Sequence, residues 1–177
     1  MRYFEKLFHT VVISMFLGLM SSLAFAADPV KVGFVYVGPI GDHGWTYRHD
    51  IGRQQVEEAF GDKVKTSYVE SVKYGPDAER VIRMLAETND IVFATSFGYM
   101  EPMLKVAKDF PNVKFEHATG YKQADNMASY GLRLYQARHV QGIIAGMMTK
   151  TNKICYVAAY PIPEVIREIN TYYLGAK

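Results

Sequence analysis

The sequence has little of what most enzymes need. It holds a single cysteine, Cys155, which excludes an internal disulfide and leaves packing as the source of stability. That cysteine sits in an apolar, strand-like run, where a buried and inert thiol is expected. No phosphate-binding Gly-x-x-x-x-Gly-Lys loop, no Gly-x-Ser-x-Gly nucleophile turn and no His-x-x-x-His pair occurs. His43 and His49 are six residues apart, a spacing that does not place two ligands on one helical face. These gaps argue against an enzyme and against any cofactor or metal. The charge balance is also nearly even, with 20 basic and 18 acidic residues and a net charge of +2. Such a weak excess does not indicate a nucleic-acid partner.

Long apolar runs are equally scarce. The one candidate, residues 11–25, is shorter than the ~20 residues that span a membrane. It follows a basic start, Arg2 and Lys6, and ends in Ala24-Phe25-Ala26, the small-x-small pattern read by a signal peptidase. Residues 1–26 are therefore predicted to be a cleaved signal peptide that delivers the chain to the periplasm. Ala27 stands where a bacterial lipoprotein would carry its lipobox cysteine, so a soluble product is expected. Loss of Arg2, Lys6 and Glu5 lowers the net charge by one.

The remainder, with 49% hydrophobic and 21% charged residues in the whole chain, has an ordinary globular composition able to build a core. Val30–Val37 is a β-rich run closed by Gly38-Pro39, and residues 45–60 carry helical spacing before the stop at Gly61-Asp62. Strands are predicted at 63–69, 90–95 and 113–117, with helices opening at Pro76 and spanning 100–110. Strands alternating with helices imply right-handed βαβ crossovers, hence a doubly wound parallel α/β sheet. After Ala128 the pattern restarts: a strand at 130–134, a helix at about 136–149, a strand at 153–158 and a short helix after Pro163. So few strands and helices cannot cover both faces of a sheet, so this second unit is read as incomplete. The domain boundaries that follow are 27–127 for a first ligand-binding lobe and 128–177 for the start of a second.

Ligands of open parallel sheets gather beyond the carboxyl ends of the strands. The loop Gly38 to Trp45 has glycines at intervals of three, which is not the dinucleotide fingerprint. It offers instead an indole, Trp45, beside a carboxylate, Asp42. Stacking on an indole is worth ~1–3 kcal/mol for a nucleobase, and a carboxylate accepts hydrogen bonds from ring substituents. The same two residues would also suit core packing and helix capping. Ser96, Phe97, Gly98 and Tyr99 follow another strand and offer backbone N–H groups, a hydroxyl and a second aromatic face, with core packing as the alternative for Phe97. His117 suits a satisfied structural histidine as well as a contact. Glu164 and Arg167, one helical turn apart, fit either a cleft wall or a surface pair.

Four ordered motifs then carry a resemblance: Val32 to Trp45, Phe93 to Tyr99, Phe115 to Tyr121 and Pro161 to Arg167. Together they are similar to the basic membrane protein (BMP) family of ABC transporter substrate-binding proteins, over essentially residues 30–177. The resemblance implies a type I periplasmic binding protein: two α/β lobes joined by a hinge, closing on a purine nucleoside or nucleobase and delivering it to a membrane permease. The Gly-Trp pair resembles the adenine-type branch. It further implies ligand contacts at Asp42, Trp45, Ser96, Phe97, Gly98 and Tyr99, a hinge crossing near 126–130, and Glu164 and Arg167 facing the cleft from the second lobe. A monomer is expected. Members are about twice as long, so a truncated product with impaired binding is expected, and an exported sensor on the same scaffold is the alternative function. In a bacterial host, N-terminal sequencing of the periplasmic product should begin at Ala27; a product retaining Met1 in the membrane fraction would refute cleavage.

Overall fold

The computed structural model describes residues 28–177, so the predicted signal peptide lies outside the described residues. The elements are β1 (Val30–Val35), α1 (Trp45–Phe60), β2 (Val64–Val69), α2 (Pro76–Ala86), β3 (Ile91–Ala94), α3 (Met100–Asp109), β4 (Lys114–Ala118), β5 (Met127–Tyr130), α4 (Leu134–Met148) and α5 (Pro163–Ala176). The five strands form one sheet in the order β2-β1-β3-β4-β5, every pair parallel. The doubly wound α/β architecture read from the sequence is the one observed.

Local chemistry explains the boundaries. Gly75, at φ 80°, turns the chain into α2, Pro76 takes the first helical position, and Asp77 and Glu79 favour the positive end of the helix. Gly61, at φ 52°, ends α1 in the left-handed conformation that a side chain resists. On one face of the sheet, Val81, Ile82 and Leu85 of α2 and Met103 and Val106 of α3 pack on Val35, Val92 and Phe115 of the strands. The opposite face, with Val32, Phe34 and Tyr36, meets α1. Polar groups tie that helix to the sheet: Asp50, 2% exposed, accepts from the Tyr36 hydroxyl at 3.4 Å and, within the helix, from Arg53 Nε and Gln54 Nε2 at 2.7 Å, while Arg53 Nη1 donates to Thr66 Oγ1 at 2.8 Å. A carboxylate so deeply placed is tolerable only because both of its oxygens are hydrogen-bonded.

The second half departs from expectation. Met127–Tyr130 pairs in parallel with β4, so the strand predicted at 130–134 begins three residues earlier and completes the first sheet instead of opening another. The segment expected as a hinge crossing is thus built into the sheet. Asn126 ties it down, its amide nitrogen lying 2.9–3.0 Å from the carbonyls of Ala107, Phe110 and Val113. Residues 153–158, predicted as a strand, form none. A strand needs a partner for its ladder, and this segment has none among the described residues. Cys155 is accordingly exposed rather than buried, and Val157 is 97% exposed. The helix after Pro163 is not short: α5 runs for 14 residues.

Helices α4 and α5 pack by backbone approach. A Cβ at Gly142 would collide with the Tyr172 carbonyl, and one at Gly175 with that of His139. Ile82 is fully buried in the α2–sheet interface. Replacing it with alanine should lower the unfolding free energy by about 2–5 kcal/mol, measured by denaturant titration of residues 28–177; a loss below 1 kcal/mol would show that this interface does not carry the core.

Candidate functional site

Because every strand points the same way, the chain ends of β1, β3 and β4 open onto one edge of the sheet. There a cleft of about 460 Å³ lies between that edge and the α4–α5 pair, within the size range of small-molecule sites. Its sheet-side wall includes Trp45, Tyr74, Ser96, Phe97 and Gly98, and its helix-side wall includes Arg138, Tyr156, Tyr160, Glu164 and Glu168.

Trp45 is the first residue of α1. Its indole Nε1–H donates to the carbonyl of Thr95 at 2.5 Å, which pins the ring to the end of β3. The ring remains 39% exposed at the cleft rather than sinking into the core. His49, one turn on, lies with its ring centroid 4.6 Å from that of the indole, and its Nδ1 sits 2.8 Å from the Trp45 carbonyl. Burial keeps the His49 imidazole below its ordinary pKa, favouring the neutral form.

Asp42 is placed differently from the sequence expectation of a ligand contact. Its carboxylate accepts the N–H groups of Gly44 at 2.8 Å, Tyr47 at 3.1 Å and Thr46 at 3.4 Å, which together cap α1. The Gly44 N–H is the main reason the carboxyl lies below the usual carboxylate range. Asp42 therefore secures the helix that carries Trp45 and does not line the cleft.

The turn after β3 divides its residues between wall and core. Ser96, Phe97 and Gly98 line the cleft. Tyr99 is fully buried, its hydroxyl donating to the Val72 carbonyl at 2.6 Å, and burial raises its pKa. Tyr74, from the turn after β2, lies across Gly98: a Cβ there would come within 2.5 Å of its ring. The Tyr74 hydroxyl is 2.9 Å from Ser96 Oγ, and its ring stands edge-on to Tyr160 at 6.4 Å across the cleft. Tyr74 was legible in principle, since it occupies a loop beyond a strand's carboxyl end. His117 is fully buried and its Nε2 lies 2.9 Å from the Ser96 carbonyl, while burial holds its pKa down. It fixes the backbone of the Ser96 turn from below.

On the far wall, Glu164 is half-buried at the first turn of α5. Burial raises its pKa, the neighbouring Glu168 adds to that, and Arg167 opposes it. Arg167 is not among the residues lining the cleft, and its guanidinium carbon lies 5.1 Å from the Tyr135 ring centroid. Two polar groups of this wall carry no motif in the sequence: Arg138 of α4 and Glu168 of α5, joined at 2.9 Å. The cleft thus brings together Trp45, Ser96, Phe97, Gly98 and Glu164, and leaves Asp42, Tyr99 and Arg167 outside its lining.

Comparison with known proteins adds a lineage to this geometry. A family model described as ABC transporter substrate-binding protein PnrA-like (Bmp) matches residues 29–177. A purine-binding protein of Brucella abortus is 52% identical over 160 residues, covering 90% of this chain and 46% of the relative. A protein of Haloferax volcanii, named as an ABC transporter glucose-binding protein, is 46% identical over 151 residues, covering 85% of this chain and 38% of the relative. The chain thus spans less than half the length of these curated relatives. A crystal structure of an ABC transporter solute-binding protein from Aeropyrum pernix K1 superposes with a TM-score of 0.71 at 24% identity, over 84% of this chain and 43% of that one, a likeness of fold.

The capping role of Asp42 has a measurable signature. Asp42→Ala should lower stability by about 1 kcal/mol at neutral pH. Because the folded carboxyl titrates below its unfolded value, that contribution is present above the ordinary carboxylate range and vanishes as the pH falls through the folded pKa. Denaturant midpoints of both proteins at neutral and acidic pH test this; a difference that persists in strong acid would rule the cap out.

Proposed function

The chain belongs to the Bmp family of PnrA-like ABC transporter substrate-binding proteins, and we propose that it holds a purine nucleobase or nucleoside, adenine-like, in the cleft beside Trp45. The observation that carries the reading is the indole itself: tethered through Nε1 to the end of β3, in a residue 39% exposed, and lining a cleft whose other aromatic groups are Tyr74, Phe97, Tyr156 and Tyr160. A ring fixed before the ligand arrives loses little freedom on binding, and stacking a base on it contributes about 1–3 kcal/mol. The hydroxyl of Ser96, the carboxyl of Glu164 and the Arg138–Glu168 pair set a few hydrogen-bonding groups among aromatic and aliphatic ones, a mixture that suits a flat heterocycle.

In this reading Trp45, Ser96, Phe97, Gly98 and Glu164 touch the ligand. Asp42 acts through the helix it caps, Tyr99 through the core beneath the Ser96 turn, and Arg167 through the stability of α5. The family is one of solute-binding proteins and not of enzymes, and the chain would serve as the exported receptor that delivers its ligand to a membrane permease. Among the described residues no helix is long and apolar enough to cross a membrane. The Haloferax relative's name makes a sugar the competing ligand class. Sugars also stack on indoles, and the cleft holds polar groups as well as aromatic ones, so direct titration with both ligand classes decides between them.

Trp45 is the only tryptophan, so intrinsic fluorescence reports directly on the site. Adenine or adenosine should quench its emission, and glucose should leave it unchanged. By calorimetry, Trp45→Ala should weaken purine binding at least about fivefold, the low end of the stacking range. Silence toward every purine, or a response to glucose alone, would overturn the reading.

A further inference from the structure

The helix-side wall of the cleft holds three charged groups arranged in a definite order. Glu168 is only 6% exposed, a placement a carboxylate tolerates only with a partner. That partner is Arg138, whose Nε donates to Glu168 Oε2 at 2.9 Å across the α4–α5 contact. One terminal nitrogen of the same guanidinium donates to Gln141 Oε1, also at 2.9 Å. The plane of the group is thereby set by two bonds from different directions. Its other terminal nitrogen has no hydrogen bond among the described residues, and the side chain, 38% exposed, lines the cleft. A guanidinium donates only and keeps its charge at any working pH. Glu164 lies one helical turn before Glu168 on the same face of α5 and lines the same cleft. The wall therefore presents a held donor and a carboxyl acceptor to the same cleft that Trp45 lines.

We propose that Arg138 donates its unpaired terminal N–H to a ring nitrogen of the bound purine, that Glu164 accepts from the purine's exocyclic N–H, and that Glu168 is the positioning residue that aims Arg138. This rests on the purine reading and deepens it: aromatic stacking selects flatness, while this pair selects an edge that carries a donor next to an acceptor. A 6-aminopurine has such an edge, its C6 amine flanked by unprotonated ring nitrogens. Removing the donor, as in N6,N6-dimethyladenine, leaves Glu164 facing methyl groups and its carboxyl unpaired, a mismatch that buried polar sites reject strongly.

The two roles separate in one experiment. Adenine and N6,N6-dimethyladenine are titrated calorimetrically against the chain and its variants, with circular dichroism confirming the fold of each. The chain itself should prefer adenine by about tenfold or more. Glu164→Leu should weaken adenine alone, bringing the ratio of the two affinities close to one. Arg138→Met should weaken both ligands by about tenfold, since both keep the ring acceptors, and leave the ratio intact. Should Arg138→Met unfold because Glu168 is left unpaired, the Arg138→Met, Glu168→Met double variant removes both charges and should show the same loss. Glu168→Gln retains an acceptor for Arg138 and should fall between the chain and Arg138→Met, again with the ratio preserved, a pattern that general loosening of α5 would not give. Purine binding with a ratio indifferent to Glu164→Leu, or an affinity indifferent to Arg138→Met, overturns the inference and leaves the purine reading standing. No response to either purine overturns both.

Discussion

Everything at the cleft depends on parallel pairing. Parallel strands cannot be joined by a tight turn; each must be followed by a crossover that returns the chain to the starting edge. All the turns that leave the strands therefore gather at the opposite edge, and in the β2-β1-β3-β4-β5 sheet those of β1, β2 and β3 supply Trp45, Tyr74 and Ser96 respectively. Residues separated by about 50 positions meet because the topology leaves them nowhere else to go. The Trp45-to-Thr95 hydrogen bond shows the result: a helix that starts after β1 is fastened to the end of β3, the strand beside it. The indole is held by the sheet's own geometry.

How much of this was legible follows from the range of the forces involved. Helix α1 and the opening of α2 were readable because their causes are local: Gly61 at one end, Pro76 and the acidic first turn at the other. Trp45, Ser96, Phe97 and Gly98 could be singled out because the fold class fixes which loops lie beyond the strand ends; the place of Glu164 at the cleft came from the family resemblance, since the strand expected before it does not form. Asp42 looked like a ligand because a carboxylate beside an indole suits recognition, and the structure spends it on three backbone N–H groups instead. The residue type was informative, but its partner was closer in sequence than any ligand. Arg138 and Glu168 escaped notice for the opposite reason. They are 30 residues apart on two helices, and only the packing of α4 on α5 makes them a pair.

The misplaced strands teach a related lesson. Residues 153–158 have the composition of a strand and form none, while Met127–Tyr130, less obviously β-rich, completes the sheet. Strand propensity is a preference for a pleated, half-covered surface and not for a backbone shape alone. Met127 finds that surface beside Phe115, where it is 2% exposed. The 153–158 segment has no neighbouring strand among the described residues, so its apolar side chains stay in water. The same want of a sheet leaves Val140, Ile144, Met147 and Met148 of α4 exposed. What holds α4 and α5 together is close approach at Gly142, Gly146 and Gly175, with the Arg138–Glu168 pair as the polar contact at the cleft end.

That division of labour explains how a cleft can combine an apolar floor with charged groups. Burying a lone carboxylate beside aromatic rings would be strongly unfavourable. Pairing Glu168 with Arg138 cancels most of that penalty and leaves a guanidinium committed through Nε and one terminal nitrogen, on a side chain that lines the cleft. The ion pair adds little net stability by itself, because desolvating two charges offsets most of their attraction. Its value is orientation. In the proposed reading, a fixed aromatic plane on the sheet side would take any flat ring and set affinity without choosing among ligands. In the same reading, the Arg138 donor and the Glu164 acceptor on the helix side would take one pattern of ring substituents and supply the choice. The two walls come from different parts of the chain, and selectivity requires both to hold their groups still before the ligand enters.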